Sequence, residues 1–369
     1  MNNKLFVYVL LGSLFGVLTA TNLMYAAEVD NAAIYYSKAF ELQKYNESTE
    51  MRERMQKVIR KGWQGKDPEL EQFIIDNESA LSEIVEGLKL DKCDFDYGRR
   101  YSYLVEKKTP PVAKVIRLAN LFLLRGRYLA SQEKPKTALG EYFNSMLIAQ
   151  QLSLDVATLS KLTALQIEER ALPLVREYIL KKAGKKELGE IINFLDTYMK
   201  NHFTMRKVVA DEKALFLSSV STITDKMPPE SEFKKEFTQN AKLLADKYFG
   251  LIADATDPGN KDLFAVVERE INTLRQELKD IDRKYLDGII KSEEQDLSKV
   301  SATQVVKYLL VIGLPELQKL SAYYHGRIFD LQSLKEAAQK KEREAEDAVK
   351  ADTMTKTNDG KDAGVAAEK

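Results

Sequence analysis

The residues best suited to binding chemistry lie in one non-helical segment, residues 91–111. Aromatic side chains alternate there with two adjacent arginines, and the residues concerned are Phe95, Tyr97, Arg99, Arg100, Tyr101 and Tyr103. Aromatic and arginine side chains are enriched where proteins bind partners, because a guanidinium group stacks well on an aromatic face. The segment is therefore the best candidate in the sequence for a surface that binds a protein or peptide. The alternative, that the rings fold back and fill a gap between helices, is slightly favoured over it.

Residues for metal binding or acid–base catalysis are sparse. The chain has two histidines, His202 and His325, and no motif typical of zinc proteases, serine hydrolases or nucleotide-binding loops. We therefore predict no catalytic residues, no metal site and no cofactor, and expect both histidines to lie at the surface or to be hydrogen-bonded. Abundant carboxylates leave one enzyme class open, a cell-wall enzyme that cleaves glycosidic bonds. However, Glu78 and Glu230, each followed by Ser, lack the Gly-rich motifs of lytic transglycosylases.

The N-terminus has the features of an export signal. A short basic start precedes an apolar run from Leu5 to Leu18 and a stretch of small residues that ends at Ala27. This order is typical of a secretory signal peptide, so we predict that residues 1–27 are removed and that the protein is periplasmic or secreted. The apolar run is shorter than the roughly 20 residues of a membrane-spanning helix. An uncleaved N-terminal anchor is the alternative.

Composition excludes one class of partner and favours one class of fold. The 56 Lys and Arg residues balance 56 Asp and Glu residues, so the chain lacks the basic excess of a general nucleic-acid binder. The single cysteine, Cys93, cannot form an internal disulfide, and we expect a buried or unpaired thiol. Few prolines and many Leu, Ala, Lys and Glu residues favour long helices.

Apolar residues recur at helical spacing through most of the chain, which predicts an all-α fold. We expect antiparallel helical hairpins in an elongated bundle or irregular solenoid over 28–335, as one unit or as two, 28–200 and 201–335. Residues 336–369 are predicted to be a charged, largely disordered tail. The helices are expected at about 33–43, 48–60, 69–88, 112–130, 136–152, 155–182, 186–200, 203–224, 231–253, 260–295 and 302–345.

Residues 112–152 resemble one tetratricopeptide repeat. The residues that carry this likeness are Phe122, Gly126 and Leu129 in the first helix, and Ala138, Tyr142 and Ser145 in the second. Small residues at Gly126 and Ala138 would let the helices approach closely, while Phe122 and Tyr142 fill the space beside them. Because two further copies are not found, three arrangements stay open: irregular hairpins with one repeat-like unit, a degenerate repeat array, and an ordinary bundle.

A wider likeness rests on short segments that recur in one order. They are Asn77 to Ala80, Cys93 to Tyr97, Arg117 to Ala119, Thr158 to Leu162, and Glu168 to Leu172. Together they resemble a set of uncharacterised, exported, all-helical proteins of planctomycete-type bacteria over about residues 30–180. The chain departs from that set at residues 109–111, where Thr-Pro-Pro replaces a Leu-Pro-His-type segment. The resemblance implies export and helicity and brings no known activity.

Two apolar patterns in the C-terminal half suggest packing surfaces. Spacings of three and four, as in a coiled-coil seam, relate Ile271, Leu274, Leu278, Ile281 and Tyr285. Two heptads are too few for a coiled coil, so we favour a hairpin within the chain over a homodimer seam. A second apolar run begins at Val305, is expected to be buried, and should end at Gly313 and Pro315.

These patterns favour an exported, non-catalytic interaction or scaffold protein of the cell envelope that binds a protein or peptide. The alternatives are a glycan-cleaving enzyme with an unrecognised active site, and a structural envelope protein that self-associates through 260–295.

Overall fold

The computed structural model describes residues 31–44, 48–95, 111–155, 157–257, 260, 263–291 and 300–362. These residues form thirteen α-helices and no β-strand, which confirms the all-α fold. The helices are α1 (Ala32–Leu42), α2 (Thr49–Lys61), α3 (Pro68–Asp76), α4 (Glu78–Gly87), α5 (Val112–Ser131), α6 (Pro135–Ser153), α7 (Thr158–Lys181), α8 (Lys185–Lys200), α9 (Met205–Asp225), α10 (Glu232–Ala255), α11 (Leu263–Glu277), α12 (Arg283–Lys291) and α13 (Ala302–Asp362). The predicted signal peptide, 1–27, lies outside the described residues. Within them, no helix is long and apolar enough to cross a membrane.

Polar caps set the starts of several helices. The side chain of Asp67 accepts from the backbone N–H of Leu70, and Pro68 occupies the first helical position of α3, an order typical of a helix start. Ser48 and Ser231 cap α2 and α10 in the same way. Each cap stabilises its helix by about 1 kcal/mol, because it satisfies a backbone donor that the helix leaves open.

The predicted helix at 69–88 is two helices, because Asn77 interrupts it. Asn77 is fully buried, and its Oδ1 accepts from the backbone N–H of Lys44 at 2.9 Å. Its Nδ2 donates to the carbonyl of Phe73 at 2.9 Å. Asn77 thus links the end of α1 to the turn between α3 and α4. The apolar spacing over 69–88 does not reveal this contact.

The C-terminal helix α13 runs through Gly313 and Pro315, where the sequence predicts an end. Apolar residues on both sides of that position keep helical spacing and are buried, namely Leu309, Leu310, Leu314, Leu317 and Leu320. Packing of this continuous stripe outweighs the cost of a proline inside a helix, which is about 3 kcal/mol.

Helix α13 also extends to Asp362, into the segment predicted to be a largely disordered tail. Ala338 is buried, and the ammonium group of Lys341 donates to the carbonyl of Leu180 at the end of α7, at 2.9 Å. Lys185 pairs with Glu346 at 3.0 Å. The start of the charged segment therefore packs on α7 and α8, and its Ala, Lys and Glu residues are strong helix formers.

The expected helix at 260–295 is interrupted between α11 and α12. Ile271, Leu274 and Leu278 are at most 8% exposed and belong to the core of this chain, and Ile281 packs against it. These side chains pack inside the chain, in agreement with the preference for an intramolecular hairpin over a homodimer seam. The side chain of Tyr285 lies outside the described part.

Buried apolar side chains form three cores, and several helices contribute to more than one of them. We call them the N-terminal core (around α1, α4 and α5), the central core (around α2, α6, α7 and α8) and the C-terminal core (α9 to α13). Helix α7 contributes Ile167 to the N-terminal core, Val175 to the central core and Leu165 to the C-terminal core. Helix α13 contributes Leu320 to the C-terminal core and Leu331 to the central core. The predicted subdivision near residue 200 stays a prediction.

Helices α5 and α6 pack closely where the sequence places small residues. A Cβ atom at Gly126 would lie 2.4 Å from Cε1 of Tyr142 and 3.2 Å from the carbonyl oxygen of Ala138. The other residues predicted to pack in this hairpin are at least partly buried. Phe122, Ala138, Tyr142 and Ser145 are buried, and Leu129 is half-buried. Assignment of the pair to a tetratricopeptide repeat stays a prediction.

A polar network lies where the central and C-terminal cores meet. The Glu168 carboxylate accepts from the Tyr198 hydroxyl at 2.5 Å and pairs with Nε2 of His202 at 3.0 Å. The side chains of His202 and Glu168 are only 4% and 1% exposed, and the ring of Tyr324 on α13 lies 5.6 Å from the His202 ring. Burial lowers the pKa of His202, but the hydrogen bond and charge of Glu168 outweigh it and raise that pKa above its usual value. His202 is thus hydrogen-bonded, as expected.

We predict that Gly126→Ala lowers the free energy of unfolding by about 1–3 kcal/mol, because the new methyl group forces the Tyr142 ring to move. Gly140→Ala on α6 is the matched control. A Cβ there meets nothing within 4 Å, so this variant should gain up to about 1 kcal/mol from helix propensity. Urea unfolding monitored by circular dichroism measures both, and equal effects at the two glycines would contradict the close packing at Gly126.

We predict that the stabilisation supplied by His202 decreases as pH rises. Its pKa is raised in the folded chain, so the contribution is complete below the ordinary value of about 6.5 and is lost as pH passes the folded value. The difference in unfolding free energy between wild type and His202→Gln should therefore be larger near pH 5.5 than near pH 9, in urea titrations at both pH values. His325→Gln, which keeps the Glu168 pair, is the control. A difference that grows with pH would contradict the charged pair.

Candidate functional site

Two neighbouring cavities border α2, α5 and α7, and we call them together the basic groove. The first has a volume of about 220 Å³ and the second about 620 Å³, and both are lined by Ile59. Asn120 lines the first and Arg170 the second, and Nη1 of Arg170 donates to Oδ1 of Asn120 at 2.9 Å. The two cavities are therefore adjacent, and Ile59 borders both.

The first cavity combines an apolar floor with a polar rim. Its floor includes Met55, Phe73 and Leu121. The polar side chains that line it are Gln43, Lys44, Arg52, Gln56, Arg117 and Asn120. Three of these six are cationic and three are amides, and none is a carboxylate. Such a lining suits an anionic group attached to a small apolar body.

Separate elements place these side chains. Arg52 and Gln56 lie one helical turn apart on α2, and Arg117 and Asn120 have similar spacing on α5. Gln43 and Lys44 follow the end of α1, where Asn77 holds the backbone N–H of Lys44. Arg52 and Arg117 are exposed and make further contacts. Tertiary packing, and not one sequence motif, brings the rim together.

The second cavity extends the groove along α7 toward α13. Arg127 donates through Nη1 to Oε2 of Glu177 at 2.7 Å and through Nε to the carbonyl of Ile59 at 3.1 Å, which fixes α2 and α7 to α5. Arg60 and Glu169 also line this cavity, and Tyr323 contributes an exposed ring from α13. The wall is therefore a mixture of charged groups with one aromatic face.

Positive charge dominates the whole groove. Its cationic side chains are Lys44, Arg52, Arg60, Arg117, Arg127 and Arg170, and its carboxylates are Glu169 and Glu177. Burial raises the pKa of Glu177, but hydrogen bonds from Lys181 and Arg127 outweigh it, and the pKa is lowered overall. Glu177 is therefore ionised at neutral pH and already neutralises Arg127. The net positive field attracts an anionic ligand.

The predicted partner-binding residues and the basic groove do not coincide. Phe95 packs edge-on against Tyr36 in the N-terminal core, with ring centroids 5.5 Å apart, as in the alternative in which the ring fills a gap. Tyr97, Arg99, Arg100, Tyr101 and Tyr103 lie outside the described residues. Sequence reasoning missed the groove, although the polar pairs at helical spacing on α2 and α5 were a visible signal. The sequence does not show that the pair on α2 and the pair on α5 border the same cavity.

Other chemistry has little support in the described ranges. No group of three or more His, Cys, Asp or Glu residues there could hold a metal ion. Cys93 is a buried free thiol, as the sequence predicts, and burial raises its pKa well above the usual value. The arrangement at the groove can bind and orient an anion.

Comparisons with known proteins add no family to this description. The chain matches no protein-family model, no curated protein and no solved structure.

Proposed function

We propose that this is an exported, non-catalytic helical interaction protein of the cell envelope, and that its basic groove binds an acidic segment of a protein or peptide. The observation that carries the proposal is the concentration of six cationic side chains in one groove of a chain with zero net charge. Complementary charge speeds association and selects partners of the opposite sign. Export follows from the signal-like N-terminus.

The shape of the groove supports an extended ligand. The first cavity, about 220 Å³, is smaller than the roughly 300–1,000 Å³ of typical small-molecule sites. The adjacent cavity is larger and is bordered by an exposed tyrosine, Tyr323. A peptide that places one side chain in the small cavity and runs along the larger one would use both.

The enzyme alternative requires a carboxylic acid that can donate a proton in an accessible site. The carboxylates that line the groove are Glu169 and Glu177, and the pKa of Glu177 is lowered instead of raised. The self-association alternative relied on an apolar pattern in which Ile271 and Leu274 pack in the C-terminal core and Leu278 is buried in the chain. Both alternatives are outcomes of the following experiment.

Photo-crosslinking in the native cell tests the proposal. A photoreactive residue replaces Gln56, which is exposed and lines the first cavity, and the control position is Lys242 on α10, away from the groove. We expect one dominant protein from the Gln56 position and not from the Lys242 position. Capture of glycan fragments would favour the enzyme, and capture of this chain alone would favour a structural assembly.

We predict that Arg60→Glu combined with Arg117→Glu reduces this capture at least ten-fold, because it reverses two charges of the groove. Lys57→Glu, at an exposed position of α2 that lines neither cavity, should leave capture within about two-fold.

The wild-type yield should also fall as salt rises above about 0.15 M, because screening weakens exposed charges. The yield is measured by quantitative mass spectrometry with circular dichroism as the folding control. Equal losses in both variants would contradict a role for the groove.

A further inference from the structure

We propose that the first cavity of the basic groove is a recognition pocket for one acidic residue of the bound peptide, whose side-chain carboxylate meets the cationic rim while its backbone N–H donates to Gln43. This inference rests on the proposed function and specifies the ligand chemistry of one end of the groove.

Gln43 supplies an observation that is independent of charge. Only 6% of it is exposed, and its Oε1 is buried without a hydrogen-bond partner in the described structure. Buried polar atoms of proteins are nearly always hydrogen-bonded, and an unpaired acceptor is destabilising. Gln43 is one of the residues that line the cavity, and in this proposal the N–H of the bound residue reaches its oxygen.

The other residues that line the cavity match the carboxylate and the methylene groups of an acidic side chain. Lys44, Arg52 and Arg117 are cationic groups from three different elements, and each suits a carboxylate. The Oδ1 of Asn120 accepts from Arg170, which leaves its amide N–H groups as donors. Met55 and Leu121 provide apolar contact for methylene groups. An acidic residue in a peptide combines a carboxylate, methylene groups and an adjacent N–H donor.

The position of Gln43 is fixed before any ligand binds. Its own N–H donates to the carbonyl of Ala39 at 2.9 Å, and the next residue, Lys44, is held by Asn77 at 2.9 Å. Asn77 in turn is anchored to Phe73, whose side chain forms part of the cavity floor. Pre-organisation of this kind reduces the entropy lost on binding.

The test uses small probes with the purified full chain. N-acetyl-L-glutamic acid α-N-methylamide carries the side-chain carboxylate and peptide N–H groups. The glutamine analogue lacks the charge, glutarate lacks the N–H, and N-acetyl-L-alanine has an N–H but carries its carboxylate at the terminus instead of on the side chain. Binding is followed by NMR of ¹⁵N-labelled glutamine side chains. We expect the glutamic acid probe to shift the Gln43 amide signal and to bind at least ten-fold more tightly than the other three.

Variants separate a ligand role of Gln43 from a structural one. Gln43→Met keeps the volume and removes the acceptor, so it should weaken the glutamic acid probe about five-fold without lowering the unfolding midpoint in urea. Arg52→Gln with Arg117→Gln should weaken it at least ten-fold, and Lys57→Gln on α2 is the matched control.

The proposal is overturned if the glutamic acid and glutamine probes bind equally, if N-acetyl-L-alanine binds most tightly, or if Gln43→Met destabilises the chain and leaves affinity unchanged. Probe selectivity in the wild-type chain needs no variant, so a misfolded variant does not remove the test. If crosslinking from the groove succeeds while the probes fail, the groove still binds a partner and only this pocket assignment is wrong.

Discussion

Burial of α7 on nearly all sides is the constraint on which the other elements depend. The helix gives apolar side chains to all three cores, so helices on every side must cover it. Few of its positions reach solvent, and three of the exposed ones, Gln166, Glu169 and Pro173, line the basic groove. The polar residue Glu168 is tolerated inside because Tyr198 and His202 satisfy one of its oxygens. The second cavity of the groove lies over these exposed positions of α7, between α2 and α13.

Helix α13 makes the second long-range connection. It covers the C-terminal core with one half and reaches α7 and α8 of the central core with the other. Tyr324 meets the His202 network near the change from one core to the other, and the neighbouring Tyr323 faces the groove. The groove and the polar network therefore share an element, and the position of α13 affects both.

The groove lies between helices, and this location determines which side chains line it. Amides and guanidinium groups come from α2, α5 and α7 and from the residue after α1, and some already hold each other, as Arg170 and Asn120 do. Groups fixed in this way recognise charge and shape, but they do not supply a proton donor with a raised pKa. This arrangement supports the proposed binding of an anionic segment.

The sequence alone determined the helices, their caps and the close contact at Gly126. Each of these depends on residues at most a few turns apart, so apolar spacing, Asp67 before Pro68 and small residues in a short hairpin were sufficient. Tertiary structure decided the rest. Asn77 breaks a helix because it binds Lys44 from another element, and α13 continues past Pro315 because both sides pack into one core. The basic groove likewise exists only after α2, α5 and α7 meet, since its charges come from positions distant in sequence and no local pattern records their encounter.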